Sequence, residues 1–93
     1  MNIHNQKLLK TIQGFCKEYL DGKINIPTLE SSVEAVHSNL ENDIDKKIKD
    51  EIFRFIARLD NIYFLHSNEE YFELVKARIQ DVNSFIEAAI DEK

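Results

Sequence analysis

Residues 44–63, IDKKIKDEIFRFIARLDNIY, decide the fold class. Ile44, Ile48, Ile52, Phe55, Ile56, Leu59, Ile62 and Tyr63 recur at the period of one helix face, and a strand would alternate every second residue. The charges between them, Lys46, Lys47, Lys49, Asp50, Glu51, Arg54 and Arg58, fall on the opposite side. Lys46 stands four before Asp50, Asp50 four before Arg54, and Lys47 four before Glu51. Such pairs describe an ordinary solvated face, each stabilising by about 0.2–0.5 kcal/mol.

Outward from this segment the same pattern repeats. A first helix runs from about Asn5 to Leu20, with Leu8, Ile12, Phe15, Cys16 and Tyr19 along one side. Asp21-Gly22 ends it, since glycine takes the left-handed conformation that closes helices. Lys23–Ile26 forms an extended link, and Pro27 opens a second helix that reaches Leu40 or Glu41. Asn42 or Asp43 is expected to cap the third. Ser67-Asn68-Glu69-Glu70 has the spacing of a capping box, with Ser67 bonding the N3 amide and Glu70 reaching back. The fourth helix then presents Tyr71, Phe72, Val75, Ile79, Val82, Ile86 and Ile90. Four helices joined by short links predict an all-α, antiparallel four-helix bundle, with residues 1–93 as one domain.

Composition is consistent with this. An apolar fraction of 43% with two glycines and one proline fits a packed core of helices. A chain of 93 residues buries roughly 60–65% of the surface its unfolded form exposes. Net charge is −5, which disfavours nucleic acid and anionic membranes as partners and favours a basic one. Cys16 is the single cysteine and lies in the apolar pattern, so it is expected to be a buried, inert thiol. Met1–Asn5 lacks the basic start and apolar run of a signal peptide, and no run approaches a membrane span. The expected location is the cytoplasm.

The second helix carries the strongest functional signal. Leu29, Val33, Val36 and Leu40 form an apolar stripe, and one residue on, Glu30, Glu34, His37 and Glu41 form a second, about 100° away. No lysine or arginine lies between Lys23 and Lys46, and Asp43 and Asp45 extend the negative charge into the next turn. Either lysines from elsewhere, such as Lys10 or Lys17, neutralise this stripe across the bundle, or the stripe is a binding surface or serves catalysis. A second acidic group, Asp60, Glu69, Glu70 and Glu73, lies with Tyr63, Phe64, Tyr71 and Phe72 at the junction of helices three and four. Acids in a first turn complement the helix dipole, and tyrosines beside carboxylates suit an interface.

Metal chemistry finds little to build on. Glu34 and His37 have Glu-x-x-His spacing, but a di-metal bundle needs a second such pair. Glu41, Asp43 and Asp45 lack the glycine of a calcium loop. Glu69-Glu70-Tyr71-Phe72-Glu73 matches the E-E-x-x-E half of the motif of magnesium-dependent, all-helical nucleotide pyrophosphohydrolases. The partner half is absent; Glu87 and Asp91 come closest. No cofactor is expected.

Phe15-Cys16-Lys17-Glu18-Tyr19-Leu20-Asp21-Gly22-Lys23-Ile24, the Pro27–Leu40 helix, and Leu59-Asp60-Asn61-Ile62-Tyr63-Phe64 before an acidic helix start together resemble the small helical immunity proteins of bacterial nuclease toxins, the colicin D immunity type above all. The resemblance implies a non-enzymatic inhibitor that covers the basic active site of its cognate nuclease with carboxylates in place of phosphates. The expected contacts are Glu30, Glu34, His37, Glu41, Asp43, Asp45, Asp60, Glu69, Tyr71 and Glu73. The alternatives are the pyrophosphohydrolase and a homodimeric adaptor, for which Phe53, Phe64 and Phe72 beside the main stripes supply apolar surface.

Overall fold

The computed structural model describes residues 2–41 and 44–91. Four helices account for nearly all of them: α1 Ile3–Leu20, α2 Ile26–Asn39, α3 Lys46–Leu65 and α4 Asn68–Asp91, with no strand among the described residues. α1 packs on α2, α2 on α3, α3 on α4 and α4 on α1, while the diagonal pairs stay apart. Successive helices are antiparallel. His4, early in α1, meets the Asn39 carbonyl at the end of α2, and His37, late in α2, meets that of Lys49 early in α3. Tyr63, late in α3, packs on Tyr71 early in α4. The result is an antiparallel four-helix bundle of 40 × 20 × 18 Å. No helix among the described residues is long and apolar enough to cross a membrane.

Local chemistry sets the helix ends. Asn2 Oδ1 accepts the Asn5 N–H at 2.7 Å and Asn25 Oδ1 accepts that of Thr28 at 2.9 Å, each satisfying an orphan donor of a first turn. Gly22, at φ +79°, closes α1. Its N–H reaches the Tyr19 carbonyl at 3.0 Å, and the Lys23 N–H reaches Glu18 at 2.9 Å, the paired bonds of a Schellman ending. α3 is capped by Asp45, which accepts from the Lys47 N–H at 2.9 Å. The expected cap Asp43, like Asn42, lies outside the described residues. Only half of the box before α4 forms. Glu70 Oε1 accepts from both the Ser67 N–H and the Ser67 hydroxyl, each at 3.2 Å, and the Glu70 amide takes the Ser67 carbonyl instead of its side chain.

The core is one cluster drawn from all four helices: Leu9, Ile12 and Cys16; Leu29 and Val33; Ile52 and Leu59; Val75, Ile79 and Ile86 are almost wholly buried. Each large side chain contributes about 1.5–3 kcal/mol by leaving water. On α1 the buried line is Asn5, Leu9, Ile12, Cys16 and Tyr19. Leu8 and Phe15, expected inside, flank it half-buried, since they lie about 60–80° round the helix from the centre of that line. Tyr63 and Phe72, also expected inside, are exposed where the bundle ends. Burial pushes the Cys16 thiol up to about 12.

Among the described residues, one polar residue is wholly buried in this interior. Asn5 is fully buried, and its Oδ1 accepts the Glu41 N–H at 2.9 Å, pinning the start of α1 to the chain leaving α2. The i,i+4 pairs expected on α3 are not the ones made. Glu51 collects Arg54 at 3.2 Å and Arg58 at 3.9 Å, whose guanidinium groups reach it from one and two turns further along the helix.

Candidate functional site

Burial of Leu29, Val33 and Val36 against the core turns the adjacent stripe of α2 toward the edge it shares with α3. There Glu30 and Glu34 meet Phe53, Ile56, Ala57 and Asp60 around a groove of about 320 Å³. Asp60 belongs, by sequence, to a different acidic group; antiparallel packing brings it to Glu30. The Glu30 carboxyl is raised above the usual carboxylate range, first by partial burial, then by the charge of Asp60 and a hydrogen bond with it, then by the charge of Glu34.

None of these three carboxylates has a Lys, Arg or His ion-pair partner among the described residues. Lys17 pairs with Asp21 at 3.8 Å on its own helix, and Lys10 reaches no carboxylate among them. The neutralisation offered by either lysine is therefore not made. At the upper end of the groove His37 bridges the two helices. Its Nε2 lies 3.2 Å from the Lys49 carbonyl oxygen and its ring centre 6.3 Å from that of Phe53. Phe53 itself is 62% exposed, an aromatic ring in water beside three acids.

The remaining candidates lie elsewhere. Glu41 faces the start of α1, 3.7 Å from His4 Nε2 and 3.4 Å from Asn2 Nδ2. Asp45 is occupied as the α3 cap, and Asp43 lies outside the described residues. Glu69 and Glu73 are exposed on the first turns of α4, without an ion pair among the described residues. Tyr71 is half-buried, and its hydroxyl donates to the Tyr63 carbonyl at 2.7 Å. It lines a cavity of about 290 Å³ with Tyr19, Ile26 and Pro27 at the closed end of the bundle. Phe64 and Leu65 at this end are exposed, and Phe72 partly so, with Lys76 Nζ 6.0 Å above its ring.

What the groove can do chemically is limited by what it holds. No group of three or more His, Cys, Asp or Glu among the described residues is placed to hold a metal ion. His37, the second half of Glu-x-x-His, is spent on a backbone carbonyl. In E-E-x-x-E, Glu70 is held by Ser67, which keeps its carboxyl below the usual range. Glu87 stands roughly 21 Å along α4 from Glu73, at 1.5 Å per residue. Arrayed carboxylates beside an exposed ring can attract and seat cations. Phe53 and Ala57 are the groove residues that the acidic pattern alone misses; the available signal was an aromatic ring on the polar side of the α3 stripe. Compared with known protein families, curated proteins and solved structures, the chain matches none.

Proposed function

We propose that this protein works by binding, not by catalysis, and that its α2–α3 face covers a basic surface of a partner protein. The partner class that suits it best is a bacterial nuclease toxin of the RNase type, whose active site is built to receive phosphates. Glu30, Glu34 and Asp60 stand in for those phosphates, and Phe53 supplies the apolar anchor. The observation that carries the proposal is the convergence of three uncompensated carboxylates from two helices next to an exposed aromatic ring. Such an arrangement gains nothing for the isolated fold, because like charges repel. Opposite a cationic partner it speeds encounter by a factor on the order of 10–10³ in a salt-dependent way, and a few desolvated pairs then fix specificity.

The test is affinity capture from native lysate at low and then moderate salt, followed by a nuclease assay of the retained protein. The expected result is one basic protein held near equimolar ratio, whose nuclease activity the wild type suppresses and the Glu30→Lys/Glu34→Lys variant does not. Inhibition that survives this reversal in a variant of unchanged melting temperature refutes the proposal.

A further inference from the structure

Along α3 the exposed residues Phe53, Ala57, Asp60 and Phe64 follow one another at intervals of four, three and four. They form one stripe within about 60° of arc and roughly 16 Å long. Phe53 and Phe64 are 62% and 72% exposed, so the stripe has a bare aromatic ring at each end. Ala57 between them leaves the helix backbone approachable. Its α2 side is walled by Glu30 and Glu34, and its other side by Arg54 and Arg58, which share the single carboxylate of Glu51.

We propose that the occupant of this stripe is a single amphipathic α-helix of the partner, carrying lysine or arginine along one edge and laid lengthwise on α3. This deepens the binding reading above and rests on it. A four–three–four spacing is the seam along which two helices pack side by side at a shallow angle. An extended strand, with same-face residues about 6.7 Å apart, falls out of step with the stripe's average spacing of about 5.5 Å. Charge selects the sequence of the incoming helix. A cation is required opposite Asp60, at the centre of the seam, and further cations along the Glu30–Glu34 edge, with apolar residues over Phe53, Ala57 and Phe64.

A second copy of this chain fits worse in either direction. A parallel pair of α3 helices sets Asp60 on its own mate. An antiparallel pair related by a two-fold axis sets each acidic wall against the other. Both arrangements set like charges face to face, a cost that a basic partner helix avoids.

The probe is a synthetic peptide of about 18 residues, five helical turns. Of its four seam positions, spaced four, three and four, three carry leucine to meet Phe53, Ala57 and Phe64 and the one facing Asp60 carries lysine, with further lysines along one flank. Its control is an isomer of the same composition with leucines scattered around the helix. Fluorescence anisotropy against the full chain is expected to show the patterned peptide bound at least about tenfold more tightly than the isomer. Phe53→Ala and Phe64→Ala should each weaken it by about tenfold, a hot-spot loss, while melting temperature holds because both rings are exposed. Equal binding of the two peptides, lost on Glu30→Lys/Glu34→Lys, overturns the helix inference and leaves the acidic face standing. Equal binding that survives the reversal removes both. Failure of the wild type to bind the patterned peptide, or a dimer in sedimentation that Phe53→Ala abolishes, also overturns the helix inference, the latter handing the stripe to a second copy.

Discussion

Replacing Glu30 with glutamine should stabilise this protein at neutral pH, and the size of the gain can be worked out from the groove. Glu30 is half-buried and faces two like charges, Asp60 across the helix pair and Glu34 one turn on. Two unit charges about 5 Å apart in water repel by roughly 0.8 kcal/mol. Exposure and salt reduce this, and like-charge pairs one helical turn apart cost only about 0.2–0.5 kcal/mol. Together the two relieved repulsions come to about 0.5–1 kcal/mol. For a domain of this size about 1 kcal/mol moves the melting temperature by roughly 5 °C, so a rise of about 2–5 °C is expected.

The pH dependence gives the sharper check. Because folding raises the Glu30 carboxyl, the folded state holds that proton more tightly than the unfolded chain. Its contribution is therefore fully favourable below the ordinary carboxylate range and is lost as pH rises through the raised folded value. The glutamine variant should gain most at neutral pH and lose its advantage in acid, where wild-type Glu30 is already neutral. Thermal melts of both proteins from acid to neutral pH measure this directly. A double-mutant cycle with Asp60→Asn should show less than additive gains, since each change removes the same repulsion. If Glu30→Gln is no more stable than wild type at neutral pH, the carboxylate has a favourable partner and the argument for an uncompensated groove collapses.

Asn5→Ala should cost about 1–3 kcal/mol, because the wholly buried amide is lost and the part-buried Glu41 N–H loses its acceptor; a melting temperature lowered by less than a few degrees would show that bond to be replaceable. Cys16 should resist thiol reagents in the native protein and react only as the chain unfolds, since it is wholly buried and its thiol is pushed up to about 12; rapid native labelling would contradict the packing of α1. Glu70→Gln should act with the opposite sign to Glu30→Gln. The Ser67 bonds hold Glu70 low, so its contribution is present above the ordinary carboxylate range and lost as pH falls through the lowered folded value, and the variant's deficit should shrink in acid. Leu59→Ala should cost about 2–5 kcal/mol and Phe53→Ala less than about 0.5 in chemical denaturation, although both lie on α3.

Four apolar stripes at helical period, with Gly22, Asn25-Ile26-Pro27 and Ser67–Glu70 as punctuation, made the helices and their order legible before any coordinates. The errors were of phase and of ends. Leu8 and Phe15 lie about 60–80° round α1 from the centre of its buried line and Leu9 about 40°, a rotation that the period alone does not fix. Tyr63 continued the α3 period faithfully, yet a period does not say where the neighbouring helices stop. Phe53 and Phe64 were visible as rings off the stripe; whether they met each other, the acids or a second copy depended on facts that no single helix contains.

The joining of Asp60 to Glu30 and Glu34 is the instructive case. Antiparallel packing makes a turn the mirror point of the two helices it connects. His37 and Lys49 lie on either side of position 43, and Glu30 and Asp60 on either side of position 45, so both pairs centre on the short link between α2 and α3. Placing the turn there suffices to set residues near position 58 opposite Glu30, and Asp60 is the acid in that range. The information was present, but as the position of a break and not as a motif. The same geometry explains why Glu41 leaves the groove although it shares a helical stripe with Glu34. α2 ends at Asn39, and Leu40 turns to an extended backbone of φ −66° and ψ 135°. The chain then swings toward α1, where His4 and Asn2 receive the Glu41 carboxylate. A stripe read from periodicity holds only while the helix lasts, so the acidic face is built from one and a half turns of α2 completed by α3.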